Sequence, residues 1–523
     1  MTSSLRPILP SPAKSARRLL AASALLLTLP LAGCFMLPSA PSNATSTPTG
    51  EKVDAALAPY YSQVLTWKDC GDGAQCATAI APMDWDHPSK STDITLALAR
   101  HTATGTRQGS LFVNPGGPGA SGYDLVHDDV DYAVSDRLQA AYDVIGWDPR
   151  GVGRSTPVTC YDDKKLDDFI FGLPKAPTET PEWVAELTKS AVDFGQACLA
   201  NTGPSLEFVD TQSTVHDLDM LRAIVGDKKL HYLGYSYGSD IGMYYIDRFA
   251  SKVGRVVLDG STDSTVTSFD VGLTQTAGFE LALRNYLTAC PETDDCPFTG
   301  DLPTDLATIQ ALYDQLDANP VAAPDGRMMD AGVLDVAMSM ALYDQSSWPY
   351  LSDLFTEAPK GITDTAFFLA DYYYSRDVDG TYADNSLEAF IAISCVDYAV
   401  VTDPAEIAAE NAQLEVASPT TARTSSVGDL TCINWPFHYR GGPITAVVGK
   451  GAPDVIIVST TGDPATPYQW GVALSKQLES AHLITNNGEG HTAYNGGVAC
   501  VDDAVDDYFV NGTVPKTDPN CGG

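Results

Sequence analysis

The chain has 523 residues, 44% of them apolar and 19% charged, with 43 Gly and 34 Pro, proportions that exclude collagen-like, coiled-coil and disordered classes. Its 31 Lys and Arg stand against 67 Asp and Glu, a formal charge of −36, which repels phosphate backbones and anionic lipid surfaces and removes nucleic acid from the expected partners. A chain this long exceeds what one hydrophobic core supports, so a large domain with a second unit inserted or appended is expected.

Residues 1–33 read as a signal peptide. Arg6, Lys14, Arg17 and Arg18 precede the apolar run Leu19 to Leu31, which is too short to span a bilayer as a stable helix. The run ends in Leu31-Ala32-Gly33-Cys34, which resembles a bacterial lipobox, so Cys34 is the expected lipid anchor. Residues 34–66 are expected to be a flexible linker, since the stretch to about Glu51 is Pro, Ser, Thr and Ala and cannot bury a core. No later segment carries about 18 uninterrupted apolar residues. The expected location is therefore outside the cytoplasm, on the outer face of a bacterial cell membrane, with the anchor as the sole membrane contact.

Eleven cysteines less Cys34 leave ten, an even number in a chain that matures in an oxidising compartment. Their order along the chain suggests five neighbouring pairs: Cys70 with Cys76, Cys160 with Cys198, Cys290 with Cys296, Cys395 with Cys432, and Cys500 with Cys521. No His or second Cys pair stands at zinc spacing beside them, so no metal or other cofactor is expected.

Apolar runs at Asp93 to Arg100, Ser110 to Val113, Tyr142 to Trp147, Leu230 to Leu233, Arg255 to Leu258, Asp454 to Ser459 and Ala481 to Ile484 read as strands. Helical periodicity lies between several of them, as at Thr211 to Ile224 and Ile241 to Phe249. The alternation predicts an α/β fold, a mostly parallel sheet with helices on both faces. It stops between Asp259 and about Asp429, where the period is mostly helical. The expected division is a core of 67–261 and 430–523, interrupted after its sixth strand by a largely helical cap of 262–429.

Chemistry concentrates at the ends of four predicted strands. Gly234-Tyr-Ser-Tyr-Gly238 lies between a strand and a helix and fits the G-x-S-x-G nucleophile elbow, which projects Ser236 at the sheet's carboxyl edge and aims the Tyr237 N–H at a developing oxyanion. The loop Asn114-Pro-Gly-Gly-Pro-Gly119 follows an early strand, where a second oxyanion N–H is required; Gly117 is the expected donor. A phosphate cradle is the competing reading, but no Gly-Lys-Ser or Gly-Lys-Thr follows. One later strand ends in a loop acid, Asp463, and the next in a glycine-flanked His491. The order Ser236, Asp463, His491 is that of an α/β-hydrolase triad. Ser236 would attack, His491 would accept and return the proton, and Asp463 would hold the imidazole. Asp259, also at a strand's end, is the rival acid. His87, His101, His127, His216 and His438 precede the acid, and His231 and His482 sit in strands.

Together with Gly146-Trp-Asp-Pro-Arg-Gly-Val-Gly-Arg-Ser155, these motifs resemble the actinomycete tripeptidyl aminopeptidase group, secreted or lipid-anchored serine exopeptidases akin to proline iminopeptidases. The resemblance runs from about Trp67 to the C-terminus. It departs at Asn114-Pro115, where proline iminopeptidases usually carry His-Gly. It implies a serine exopeptidase acting on peptides with a free N-terminus, in which Asp148, Arg150 and Gly151 brace the loops through an ion pair. A capped esterase or lipase is the in-class alternative, and an inactive surface binding protein the alternative outside it. The cap should roof Ser236 and place a carboxylate near a substrate ammonium group; Asp330, Asp335, Asp371 and Asp397 lie on or near its apolar helical stretches, but in so acidic a chain each reads first as a solvated surface acid and none is assigned to the site.

Overall fold

In the computed structural model, which describes residues 44–522 apart from 89, 91, 179, 423–427 and 442–443, the apolar runs become the centre of one large sheet. Its strands are β1 (Ala44–Thr45), β2 (Thr66–Gly71), β3 (Ala74–Pro82), β4 (Asp93–His101), β5 (Gly109–Asn114), β6 (Tyr142–Trp147), β7 (Leu230–Tyr235) and β8 (Val253–Asp259). After a two-stranded ribbon, β9 (Val321–Ala322) and β10 (Met328–Met329), the sheet resumes with β11 (Val455–Gly462), β12 (Ala481–Glu489) and β13 (Asn520–Gly522). The order is β1-β2-β3-β4-β6-β5-β7-β8-β11-β12-β13. It is antiparallel from β1 to the β4–β6 pair and parallel from β6 onward.

Every residue of β5 and β6 is buried, as expected of strands covered on both faces. Side chains alternate between two cores. Phe112, Ile145, Tyr232, Leu258 and Ile457 point into one, while Leu111, Val113, Val144, Leu233, Val257 and Ile456 point into the other. Each such side chain contributes about 1.5–3 kcal/mol relative to exposure, and the period of two fixes which face it serves. Register then aligns the strand ends: Asn114 lies opposite Gly234, Tyr235 opposite Asp259, and Asp259 opposite Val458. The loops carrying the candidate catalytic residues thus leave one edge of the sheet.

The insert follows β8, the sixth strand when β3 is counted first. It begins with the Ser268–Ala289 helix, whose start is fixed by a reciprocal Thr267–Asp270 capping box. Much of the insert has a core of its own, built on Leu283, Tyr286, Leu334, Met338, Leu351 and Phe367. Its last part differs, because Ala389, Ile393 and Val396 of the Ser386–Asp397 helix pack into the core of the main domain.

Three findings correct or extend the sequence reading. The expected linker is part of the fold from residue 44: β1 pairs with β2, Glu51 binds Arg222, and the Tyr61 hydroxyl donates to Asp219. Between β6 and β7 the chain makes a helical excursion, including Asp163–Phe171 and Pro181–Thr202. The ion pair of the Asp148-Pro-Arg-Gly turn is not internal to it. Arg150 grips Asp217 with Nε and Nη2 at 2.7 and 2.8 Å, both residues buried, while Asp148 accepts from the Ser121 hydroxyl and the Tyr123 and Arg154 N–H groups. The turn does brace loops through an ion pair, as expected, and Asp217 is the partner that the sequence reading left unnamed.

All five neighbouring cysteine pairs are disulfides. The signal peptide and Cys34 lie outside the described residues. Among those described, no helix is long and apolar enough to cross a membrane.

Candidate active site

Ser236 joins β7 to the Tyr237–Arg248 helix with φ 53° and ψ −129°, a left-handed conformation costly for a residue with a Cβ. Its N–H donates to the Asp259 carbonyl at 2.9 Å, so β8 holds the turn from one side. From the other side the Gly116 backbone presses in. A Cβ there would lie 2.6 Å from the Tyr235 carbonyl oxygen, 2.8 Å from Ser236 Cβ and 2.9 Å from the Tyr237 nitrogen. Only glycine permits this approach, and Gly116 also has φ +98°. The Asn114 side-chain oxygen accepts the Gly116 N–H at 3.0 Å, which orients the loop and leaves Gly117 next in line. Gly117 and Tyr237, the two expected oxyanion donors, therefore sit on loops in direct contact.

His491 Nδ1 lies 3.0 and 2.9 Å from the two carboxylate oxygens of Asp463. Asp463 is buried and also accepts from the Ala465 and Thr466 N–H groups and the Thr466 hydroxyl. Burial alone would depress the imidazole pKa, but the Asp463 carboxylate outweighs it and holds His491 above the usual histidine range. The Nε2 atom is buried without a hydrogen-bond partner among the described residues. Gly260 stands between the two halves of the site: it follows the carbonyl that holds Ser236, and its Cβ direction points 3.1 Å from His491 Cε1.

Asp259 has another occupation. Fully buried, it accepts the Ala493 and Tyr494 N–H groups, so it shapes the turn beyond His491. Burial raises its pKa to about 6 against those hydrogen bonds. The insert supplies a residue that sequence reasoning missed. The Tyr343 carbonyl accepts the His491 N–H at 2.8 Å, and its ring meets the imidazole edge-on at 5.5 Å. No motif marked Tyr343, because the contact exists only once the insert folds back.

Beside the nucleophile lies a cavity of about 1420 Å³, walled by Tyr237 and Asp240 of the core and by Asp397, Tyr398 and Glu410 of the insert. Neither Ser236 nor His491 lines it. Among the described residues, eleven carboxylates and two arginines, Arg248 and Arg440, face it. Asp397 and Asp240 have no cationic partner among the described residues. Burial, with repulsion from Asp210, raises Asp397 to about 8, and burial raises Asp240 to about 7. Of the other insert acids singled out, Asp330 caps a helix, Asp335 accepts from Tyr313 and Asp371 pairs with Arg327.

A strained serine after a parallel strand and an aspartate-held histidine, on a mostly parallel sheet with helices, define the class, an α/β-hydrolase of the serine type. Residues 418–521, which include Asp463 and His491, match the family described as TAP-like protein. The chain is 34% identical to the serine protease Hip1 of Mycobacterium tuberculosis (strain ATCC 25618 / H37Rv) over 88% of this chain and 92% of that protein. It is 35% identical to carboxylesterase B of the same strain, covering 97% and 98%. It is 30% identical to the tripeptidyl aminopeptidase of Streptomyces lividans, covering 87% and 86%. The chain belongs to this tripeptidyl aminopeptidase-like family of α/β-hydrolases.

Proposed function

We propose that the chain is a serine exopeptidase that releases short peptides from free N-termini through an acyl-enzyme on Ser236. His491 takes the serine proton through its open Nε2 and returns it to the leaving amine, while Asp463 fixes the tautomer and stabilises the imidazolium. The Gly117 and Tyr237 N–H groups receive the oxyanion at the start of a helix, where its dipole assists.

The relatives' names divide between peptidase and esterase, and both chemistries pass through the same acyl-enzyme. The observation that favours peptides is the acid-lined cavity beside Tyr237. Carboxylates buried without a cation are costly, and a substrate ammonium group offsets that cost. Asp397 and Asp240 are the assigned partners. The insert, roofing this cavity, would exclude the middle of a long polypeptide. Export and lipidation at Cys34 belong to the same proposal, supported by five disulfides that need an oxidising compartment.

The test compares a tripeptide amide with its N-acetylated form. Loss of the ammonium charge should lower kcat/KM by about tenfold to a thousandfold, equivalent to about 1.4–4 kcal/mol, and Asp397→Asn should shrink that gap. Equal cleavage of both forms, or faster turnover of simple esters than of any free peptide, would assign the site to an esterase or endopeptidase. Ser236→Ala should abolish fluorophosphonate labelling in a folded protein.

A further inference from the structure

The Ser268–Ala289 helix of the insert reaches both the acid loop and the strand end that leads to the histidine, and it does so along a single face. Gln275, Gly278, Phe279, Ala282 and Asn285 follow the three-and-four spacing of one helix side. Gln275 Nε2 donates to the Ala465 carbonyl at 2.7 Å, two residues beyond Asp463. A Cβ on Gly278 would lie 2.5 Å from the Pro464 carbonyl oxygen and 3.0 Å from Pro467 Cγ, so the helix can rest this closely only because the residue is glycine. Phe279 packs on the Tyr343 ring at 5.6 Å, and Tyr343 in turn holds the His491 N–H. Two turns further on, Asn285 Nδ2 spans both carboxylate oxygens of Glu489 at 3.0 Å. Glu489 closes β12 two residues before His491.

We propose that this helix is a splint for the catalytic pair, and that Gln275 and Asn285 are positioning residues that hold Asp463 and His491 in register with each other. The proposal rests on the reading of Asp463 and His491 as the partners of Ser236. Asp463 sits on the loop after β11 and His491 on the loop after β12; the Gly490 N–H reaches the Gly462 carbonyl at 3.4 Å and the Thr492 N–H reaches Asp463 at 3.3 Å, long contacts to which the helix adds a shared outside support. The helix ties Ala465, Pro464 and Glu489 to one rigid rod. A misplacement of about 1 Å at such a pair can cost on the order of a hundredfold in rate. The insert accordingly does two things: it walls the cavity beside Tyr237, and it completes the alignment of groups that the core alone supplies.

The test uses the full chain with Gln275→Glu, Asn285→Ala, the double variant and Gly278→Ala, with Leu281→Ala on the exposed side of the same helix as control. Gln275→Glu keeps the shape and, when ionised, removes the donor, so it remains informative if Gly278→Ala fails to fold. The readouts are kcat and KM on a chromogenic peptide, the rate of fluorophosphonate labelling, and the acid limb of the pH–rate profile. Each single variant is expected to lower kcat and the labelling rate by about tenfold to a hundredfold with KM changed less than about threefold. The acid limb should move to lower pH as the hold of Asp463 on His491 loosens. Leu281→Ala should match wild type. Variants that lose thermal stability but keep kcat, the labelling rate and the acid limb would overturn the proposal, as would a change in KM alone. Failure of the wild-type enzyme to label at Ser236 would instead remove the catalytic reading beneath it.

Discussion

The two candidate acids are separated by what their oxygens accept. Asp463 accepts from the imidazole, and an asparagine in its place would present an N–H to Nδ1 and force the wrong tautomer. Asp463→Asn should therefore lower kcat by about 10⁴ in a folded enzyme. Asp259 accepts only backbone N–H groups, and the Asn oxygen can still take one, so Asp259→Asn should cost activity a few-fold at most. Stability carries a sign of its own. The Asp259 carboxyl titrates at about 6 when folded against about 3.9 when unfolded, so its contribution is fully present below pH 3.9 and is lost as pH rises through 6. The Asn variant lacks that loss, and its melting temperature relative to wild type should rise between pH 4 and pH 8. A difference that stays flat or moves the other way would contradict the buried-carboxyl assignment. The placement of Ser236, Asp463 and His491 just beyond strand ends was legible because each follows an apolar run. The partner of Arg150 was not, since Asp217 is 67 residues away in sequence and nothing in either segment advertises the pair.

Strands buried on both faces announce themselves as apolar runs, and Asp93 to Arg100 or Tyr142 to Trp147 agree with β4 and β6 to within a residue. The edge of the sheet is harder to read. β2, Thr-Trp-Lys-Asp-Cys-Gly, buries Trp67 alone among its six residues, so it carries no run, and its strand character comes from pairing with β3. The helical excursion between β6 and β7 was invisible for a similar reason: its Phe169 and Phe194 stack on each other only after the chain has doubled back. Loops respond to single atoms in a way strands do not. At Gly116 an added methyl meets three backbone or Cβ atoms within 2.9 Å, none of which can yield without moving the elbow or the oxyanion loop. Gly116→Ala should lower the fluorophosphonate labelling rate by about a hundredfold or more, and the change should lie in kcat. An unchanged rate would mean that the loop is not the second half of the oxyanion site.

At the scale of the whole molecule the interruption of the α/β pattern was readable, but the insert's division was not. Only packing shows that Ala389 and Ile393 join the main core while Leu334 and Phe367 build a separate one. The net charge of −36 acquires a direction from the same architecture, because among the described residues eleven carboxylates against two arginines line the cavity under the insert. A low-dielectric wall focuses such a field on whatever enters. A peptide with a free ammonium group should gain in encounter rate, and the gain should fade as salt shortens the screening length from about 30 Å at 0.01 M to about 3 Å at 1 M. The value of kcat/KM for a free-amine tripeptide amide should fall about threefold to tenfold between these salt concentrations, while its N-acetylated form should change by less than twofold. Asp397→Asn should reduce the salt dependence of the free-amine substrate without altering that of the acetylated one. Parallel salt curves for the two substrates would show that the acidic cavity does not see the ammonium group, and that the charge of this protein serves its surface alone.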